Sequence, residues 1–383
     1  MALDAETMEQ LLDTVSRFVR DRLVPLEFKV AADDAIPGAI KQEIRDLGLF
    51  GLSIPVEYGG LGLSMEEEVR VAFELGRTSP AFRSLIGTNN GIGSQGLVLD
   101  GTEEQKRKYL PRLATGELIS SFALTEPEAG SDAASLRTTA RRDGDHVVLN
   151  GTKRFITNAP HAGLFTVFAR TDGSEGKISA FLVEAGTPGL TLGPIDKKMG
   201  QSGSHTCDVI FDDCRIPASA VLGESEGRGF QTAMRVLDRG RLHISAICVG
   251  MAERLIADSL SYAMSRTQFG EPIAQFQLIQ ALLADSRAEA YAARCMVLET
   301  ARAKDRGKSV STDAACCKMF ASEMVGRVAD RAVQIHGGAG YMMDYGIERF
   351  YRDARLFRIY EGTTQIQQLV IARNMIREAK NAA

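Results

Sequence analysis

The sequence predicts an α+β protein made of an N-terminal helical domain, a middle β domain and a C-terminal helical bundle. Two changes of hydrophobic period and the positions of the glycine-rich breaks carry that prediction. Residues 1–118 read as helices, with Leu11, Leu12, Val15, Phe18 and Val19 at helical spacing and Val69, Val71, Ala72 and Leu75 likewise. Pro37-Gly38 and Gly59-Gly60 punctuate them. Residues 119–225 switch to short β-like runs. His146-Val147-Val148-Leu149 ends at Asn150-Gly151, which reads as a hairpin turn. Runs 164–169, 178–183 and 207–211 follow, each bounded by Gly, Asp or Pro. From 226 to 383 long helices return. Phe276, Ile279, Leu282, Leu283, Ala290, Ala293 and Val297 form a stripe so broad that it requires deep burial or a second subunit. Breaks fall at Gly337-Gly338-Ala339-Gly340 and at Glu361-Gly362.

With 383 residues, 44% hydrophobic and 25% charged, the chain has ordinary globular composition and length for about two or three domains. Its net charge of −4 excludes the basic footprint of a non-specific nucleic-acid binder. Cys207, Cys214, Cys248, Cys295, Cys316 and Cys317 include no CxxC pair and read as reduced, buried small hydrophobes. The N-terminal MALDAETMEQ carries acids where a targeting segment needs Lys or Arg, and the terminal NAA matches no address tag. No apolar stretch is long enough to span a membrane. These features together lead us to expect a cytoplasmic protein without membrane insertion.

Most familiar catalytic signatures are absent. There is no P-loop, no GxSxG elbow and no HExxH, and the five histidines lack metal spacing, so no metal site is expected. Gly337-Gly338-Ala339-Gly340 lies in a helical context with Met343 three residues on, which excludes a Rossmann fingerprint. Three segments carry more chemistry. In Ala123–Asp132, Pro127 and Gly130 shape an irregular loop, and Thr125 and Ser131 offer hydroxyls beside backbone N–H groups. That set suits a pyrophosphate or a polar ring edge, or simply a surface loop with Ser131 or Asp132 as a cap. In Gln334–Tyr341, three glycines in four positions admit a ligand or a neighbouring chain, or merely break two helices. In Ile359–Ile366, Thr363 is a good N-cap, so Glu361 precedes a helix N-terminus whose dipole favours its anion. Burial beside Ile359 and Tyr360 opposes that effect, which describes either a tuned base or a solvated capping acid.

The segments LTEPEAGSD, RTQFGEPI with Phe276-Gln277, QIHGGAGY…IERFYRD and RIYEGTTQIQ occur in the order and spacing of the acyl-CoA dehydrogenase family, which the chain resembles over nearly its whole length. The resemblance implies that family's fold, with a four-helix bundle at the C-terminus (domains 1–118, 119–225 and 226–383), and FAD bound without a Rossmann fold. By matching motif, Phe122, Leu124, Thr125, Gly130 and Ser131 would line flavin and pyrophosphate, and Phe155, Ile156 and Thr157 the isoalloxazine. Arg266, Phe269, Gln277, Gln334, Ile335, His336, Gly337 and Gly338 would reach the FAD of a neighbouring subunit in a homotetramer. Thr363 and Gln365 would reach the adenine side, and Ser131, Asp238, Arg241 and Gly362 the acyl-CoA.

The implied reaction removes the α-proton of an acyl-CoA with Glu361 and the β-hydride with flavin N5, giving trans-2-enoyl-CoA. Electrons then pass to electron-transferring flavoprotein. Some family members carry the base on the helix bearing Leu237-Asp238-Arg239-Gly240-Arg241, where this chain has Gly240. Phe155 stands where many members have Trp. Arg83, in Ala81-Phe82-Arg83-Ser84, resembles the arginine that grips the distal carboxylate in glutaryl-CoA dehydrogenases, which leaves a dicarboxylyl-CoA substrate as the alternative. Otherwise Arg83 pairs with a nearby acid or points to solvent. A flavin-dependent oxidase and a non-catalytic homologue are the remaining alternatives.

Overall fold

The computed structural model describes residues 3–171 and 177–382. The first two residues of the N-terminal decapeptide and the last of the NAA terminus lie outside that range. Seven helices come first: α1 (Ala5–Phe18), α2 (Glu27–Asp33), α3 (Gly38–Asp46), α4 (Met65–Leu75), α5 (Pro80–Asn90), α6 (Gln95–Asp100) and α7 (Glu103–Ala114). Their starts are written in the sequence. Ser64 and Thr102 cap α4 and α7, and Glu67 and Gln105 return the bond to each cap, closing two capping boxes.

Seven strands follow: β1 (Ser120–Ala123), β2 (Thr139–Asp143), β3 (His146–Thr157), β4 (Leu164–Thr171), β5 (Ile178–Glu184), β6 (Leu190–Leu192) and β7 (Thr206–Pro217). β4 organises the sheet. β5 runs antiparallel along one edge, while β1 and β2 pair parallel with the first and last parts of the other edge. The chain thus leaves the sheet after Ala123 and rejoins the same edge at Thr139. The loop between them is held at both ends by one strand.

The hairpin expected at Asn150-Gly151 does not form. β3 runs straight through both residues, and the turn lies earlier, at Gly144 (φ 59°), between β2 and β3. Gly151 instead marks a register shift in the β3–β7 ladder. A Cβ there would meet Thr138 Oγ1 at 2.5 Å, and Asn150 bonds Asp213 on β7 through both its amide oxygen and nitrogen. The dipeptide serves close approach within a strand. Of the cysteines, Cys207, Cys214, Cys248 and Cys317 are buried as expected, whereas Cys295 is exposed.

The long helices are α8 (Gly229–Ser265), α9 (Gln277–Asp305), α10 (Ser311–His336) and α13 (Thr364–Ala382), which pack as a four-helix bundle. A two-stranded ladder, β8 (Thr267–Gln268) with β9 (Glu271–Pro272), joins α8 to α9. Short α11 (Gly338–Tyr341) and α12 (Ile347–Phe357) join α10 to the final turn. The N-terminal helices and the bundle share one apolar core, while the sheet has its own around Phe165, Val167 and Phe181.

Two glycines make the shared core possible. A Cβ on Gly76, at the end of α4, would meet Ile247 O of α8 at 2.5 Å, and one on Gly250 would meet Gly76 Cα at 2.9 Å. The two backbones therefore touch. We expect Gly250→Ala to lower stability by about 1–3 kcal/mol, read as the shift of the denaturant midpoint, because neither backbone can retreat from a packed core.

Candidate active site

Glu361 occupies the turn between α12 and α13 in a left-handed conformation (φ 54°), and Gly362 follows at φ 92°. Thr363 Oγ1 accepts from Ile366 N at 3.2 Å, so the expected N-cap is present. Glu361 is partly exposed as a residue, yet its Oε2 is buried and among the described residues has no hydrogen-bond partner. Burial raises its carboxyl above the ordinary range, against the pull of Arg83, Lys318 and Arg241. Between the two opposing effects in the sequence, desolvation dominates.

The carboxylate fills the space that Gly240 leaves on α8. A Cβ at 240 would fall on Glu361 Oε2 and lie 3.4 Å from Ile92 Cγ2. A side chain at 240 and the Glu361 carboxylate would therefore compete for one volume, and here the glycine makes room for the glutamate.

Arg83, on α5, is 9% exposed. Its Nε is buried without a partner, and among the described residues the guanidinium makes no ion pair. It lies over Gly87 one turn on, where a Cβ would meet Cζ at 2.9 Å. Its charge acts on Glu361, Tyr360, Cys248 and His243. Among the described residues no acid pairs with Arg83, and the residue is largely buried rather than aimed at solvent. Asp238 and Arg241 bond each other at 2.6 Å on α8.

The loop after β1 is clamped from beneath. Lys153 is 0% exposed, and its Nζ donates to Glu126 at 2.7 Å and to Leu124 O at 3.2 Å. Glu126 also accepts from Arg137 N, Thr138 N and Thr138 Oγ1 at 2.5–2.9 Å. Burial opposes the charge of Glu126, but Lys153 and these donors hold its carboxyl below the usual range. Burial brings the Lys153 ammonium down to about 8. On top of this support, Thr125 and Phe122 are half-buried and Gly130 and Ser131 are exposed, while the Leu124 side chain turns into the core.

Beside the loop, a bulge in β3 between Lys153 and Ile156 puts Phe155 at φ 59° and turns its ring 57% into solvent, with Arg154 over its face. A strained bulge that exposes an aromatic face is a feature found at ligand sites. Ile156 is buried and Thr157 half-buried. Asn158 then ties this strand end to α5, donating to Ser84 O at 2.8 Å and Thr88 Oγ1 at 2.9 Å. The loop, the bulge and the Arg83 helix thus form one connected unit. Its exposed aromatic ring, free hydroxyls and uncrowded Gly130 fit a flat cofactor with a polar tail.

A second group of expected cofactor residues lies elsewhere. Arg266, Phe269 and Gln277 are exposed, Phe269 at 94%, and so are Gln334, Gly337 and Gly338. Ile335 packs with Ala263 and Ile273, and His336 stacks on Tyr262 at 4.3 Å, so both side chains are used within their own chain. His336 is 18 residues along α10 from Lys318, a separation of about 27 Å at ~1.5 Å per residue. Gln365 is exposed. Sequence reasoning missed Lys153, Lys318, Gln367 and Asn158; the visible signal for Lys318 was a lone charge in the small apolar run Ala314–Cys317.

Fold and site together are those of an FAD-dependent oxidoreductase. The N-terminal, middle and C-terminal domain models of acyl-CoA dehydrogenase match residues 5–117, 121–214 and 227–376. The chain belongs to the acyl-CoA dehydrogenase family, whose members use FAD. It is 42% identical to the acryloyl-CoA reductase (NADH) of Anaerotignum propionicum, covering 96% of this chain and 94% of that one. It is 40% identical to the human mitochondrial short-chain specific acyl-CoA dehydrogenase, covering 98% and 92%. The structure of a Bacillus anthracis acyl-CoA dehydrogenase complexed with FAD superposes with a TM-score of 0.93 at 37% identity, covering 99% of this chain and 68% of that one.

Removing one member of the buried Lys153–Glu126 pair leaves an uncompensated charge under the loop. We expect Lys153→Met to cost about 3–5 kcal/mol in chemical denaturation and to lower the FAD content of the purified protein.

Proposed function

We propose that the protein dehydrogenates a saturated acyl-CoA thioester to trans-2-enoyl-CoA, with Glu361 as the base. The observation that carries this reading is the dry, unpartnered Oε2 of Glu361 beside Gly240. A carboxylate with one oxygen out of reach of water and donors is a stronger base than a fully solvated one, and its raised proton affinity lies nearer to what an α-proton requires. Glu361 takes that proton as the electrons of the Cα–H bond become the new double bond. FAD, when bound, supplies the acceptor for the departing β-hydride.

In this reading Phe122, Leu124, Thr125, Gly130, Ser131, Phe155, Ile156 and Thr157 hold the cofactor in one chain. Leu124 and Ile156 have buried side chains and so offer backbone groups. Arg266, Phe269, Gln277, the segment 334–338, Thr363 and Gln365 contact it from another copy. Phe269, Leu278, Tyr341 and Met343, 72–94% exposed near that second group, support assembly of a homotetramer. Ser131, Asp238, Arg241 and Gly362 contact the acyl-CoA, and electrons leave to electron-transferring flavoprotein. The site run backwards, with Glu361 protonated, would reduce an enoyl thioester, the direction named for the Anaerotignum relative.

Glu361→Gln tests the assignment. The variant is expected to keep FAD and to bind butyryl-CoA while losing flavin reduction by about three orders of magnitude or more in anaerobic stopped flow. Wild-type bleaching by that variant removes Glu361 from the mechanism.

A second reading follows from Arg83. Its largely buried guanidinium has no acid beside it among the described residues, and its Nε lacks a partner that a ligand could supply. A terminal carboxylate on the acyl chain would do so in a bidentate grip, making glutaryl-CoA and its homologues substrates. Arg83→Ala is then expected to weaken reduction by glutaryl-CoA at least tenfold more than reduction by butyryl-CoA. Equal losses with the two thioesters would leave only the straight-chain reading.

A further inference from the structure

Lys318 is 0% exposed, and the mechanism above makes no use of it. Its Nζ donates to the carbonyl oxygen of Gly362 at 2.6 Å. Gln367 Nε2, one turn into α13, donates to the same oxygen at 3.0 Å and to Glu361 O at 3.2 Å. All three bonds converge on the two consecutive left-handed residues that carry the carboxylate. Such a conformation at a glutamate costs on the order of 1–3 kcal/mol and persists only when its surroundings impose it. A Cβ on Gly362 would meet Gln367 Nε2 at 2.5 Å, so this anchoring requires glycine there.

Burying an ammonium to support one carbonyl is expensive compared with filling the same space with methionine. We propose that Lys318 is a positioning residue for the base: with Gln367 it pins the Gly362 carbonyl, fixing the Glu361 carboxylate in the space above Gly240, and its charge favours the ionised carboxylate. Glu361 faces Arg83 from α5, Arg241 from α8 and Lys318 from α10, with Tyr360 preceding it and Cys248 on α8. Lys318 also faces Glu323 on its own helix. Burial pushes Tyr360 and Cys248 up, so both stay neutral where the enzyme works. Burial brings the Lys318 ammonium down to about 8, so it is charged at neutral pH. A nearby cation lowers the proton affinity of a carboxylate, and removing it therefore moves Glu361 ionisation to higher pH.

The proposal rests on Glu361 being the base, and the experiment separates the two ideas. Holoenzymes carrying Lys318→Met, Lys318→Arg and Gln367→Leu are compared by anaerobic flavin reduction with butyryl-CoA from pH 5 to 9. FAD content and thermal midpoint are measured alongside. Infrared titration of the Glu361 carboxyl, assigned by its loss in Glu361→Gln, reports the proton without using turnover. Lys318→Met is expected to slow reduction about tenfold or more at pH 7 and to move both the kinetic and the infrared titration upward. Lys318→Arg restores the titration, and Gln367→Leu slows reduction without moving it. An unmoved titration with a wild-type rate per bound flavin in Lys318→Met overturns the proposal, even if the thermal midpoint falls. Should that variant not fold, a wild-type rate in Gln367→Leu overturns it. Wild-type turnover by Glu361→Gln would instead sink the proposed function, leaving the infrared result to be read on its own.

Discussion

Much of this architecture follows from one requirement, that a carboxylate oxygen be kept dry and unbonded at a backbone turn. Water or a donor would stabilise the anion and weaken it as a base. The requirement is met by subtraction on one side, where Gly240 offers no side chain and Ile92 closes the space. It is met by restraint on the other, where Lys318 and Gln367 hold the carbonyls of the turn. Three helices, α8, α10 and α13, therefore meet at this turn. The glycine contact between α4 and α8 fixes α8 against the N-terminal helices, which carry Arg83 to the same place.

The sheet contributes a different kind of order. Splitting one edge of β4 between β1 and β2 expels a loop whose ends cannot drift, and the Lys153–Glu126 pair clasps those two ends together. A buried ion pair adds little net stability but fixes geometry when every donor and acceptor is satisfied. Glu126 accepts four bonds here, which matches that description. The β3 bulge leaves Phe155 exposed, and three residues on Asn158 links the same strand end to the helix of Arg83. Site and scaffold are joined by hydrogen bonds from side chains that sequence periodicity treats as ordinary polar residues.

Local signals were legible where a residue acts on its own neighbours. The N-cap at Thr363 and the glycine breaks around 337–340 appear as their residue types dictate. Asn150-Gly151 shows the limit of that logic. The pair has the chemistry of a two-residue turn, but β7 runs alongside for twelve residues and captures both sides of it. A long antiparallel partner outweighs a turn preference of about 1 kcal/mol.

The sequence by itself determined the α+β class, the order of helices, sheet and bundle, the helix start at Thr363, and the motif that singles out Glu361. These depend on period, on capping and on short spacings, all of which act along the chain. Tertiary structure alone decided that the Glu361 carboxylate fills the space Gly240 leaves, that Arg83 is largely buried with no acid beside it, and that Lys318 reaches Gly362 from another helix. The first and last depend on residues 121 and 44 positions apart meeting within a few ångströms, and whether a charge is stabilised or left bare there depends on its surroundings rather than its type.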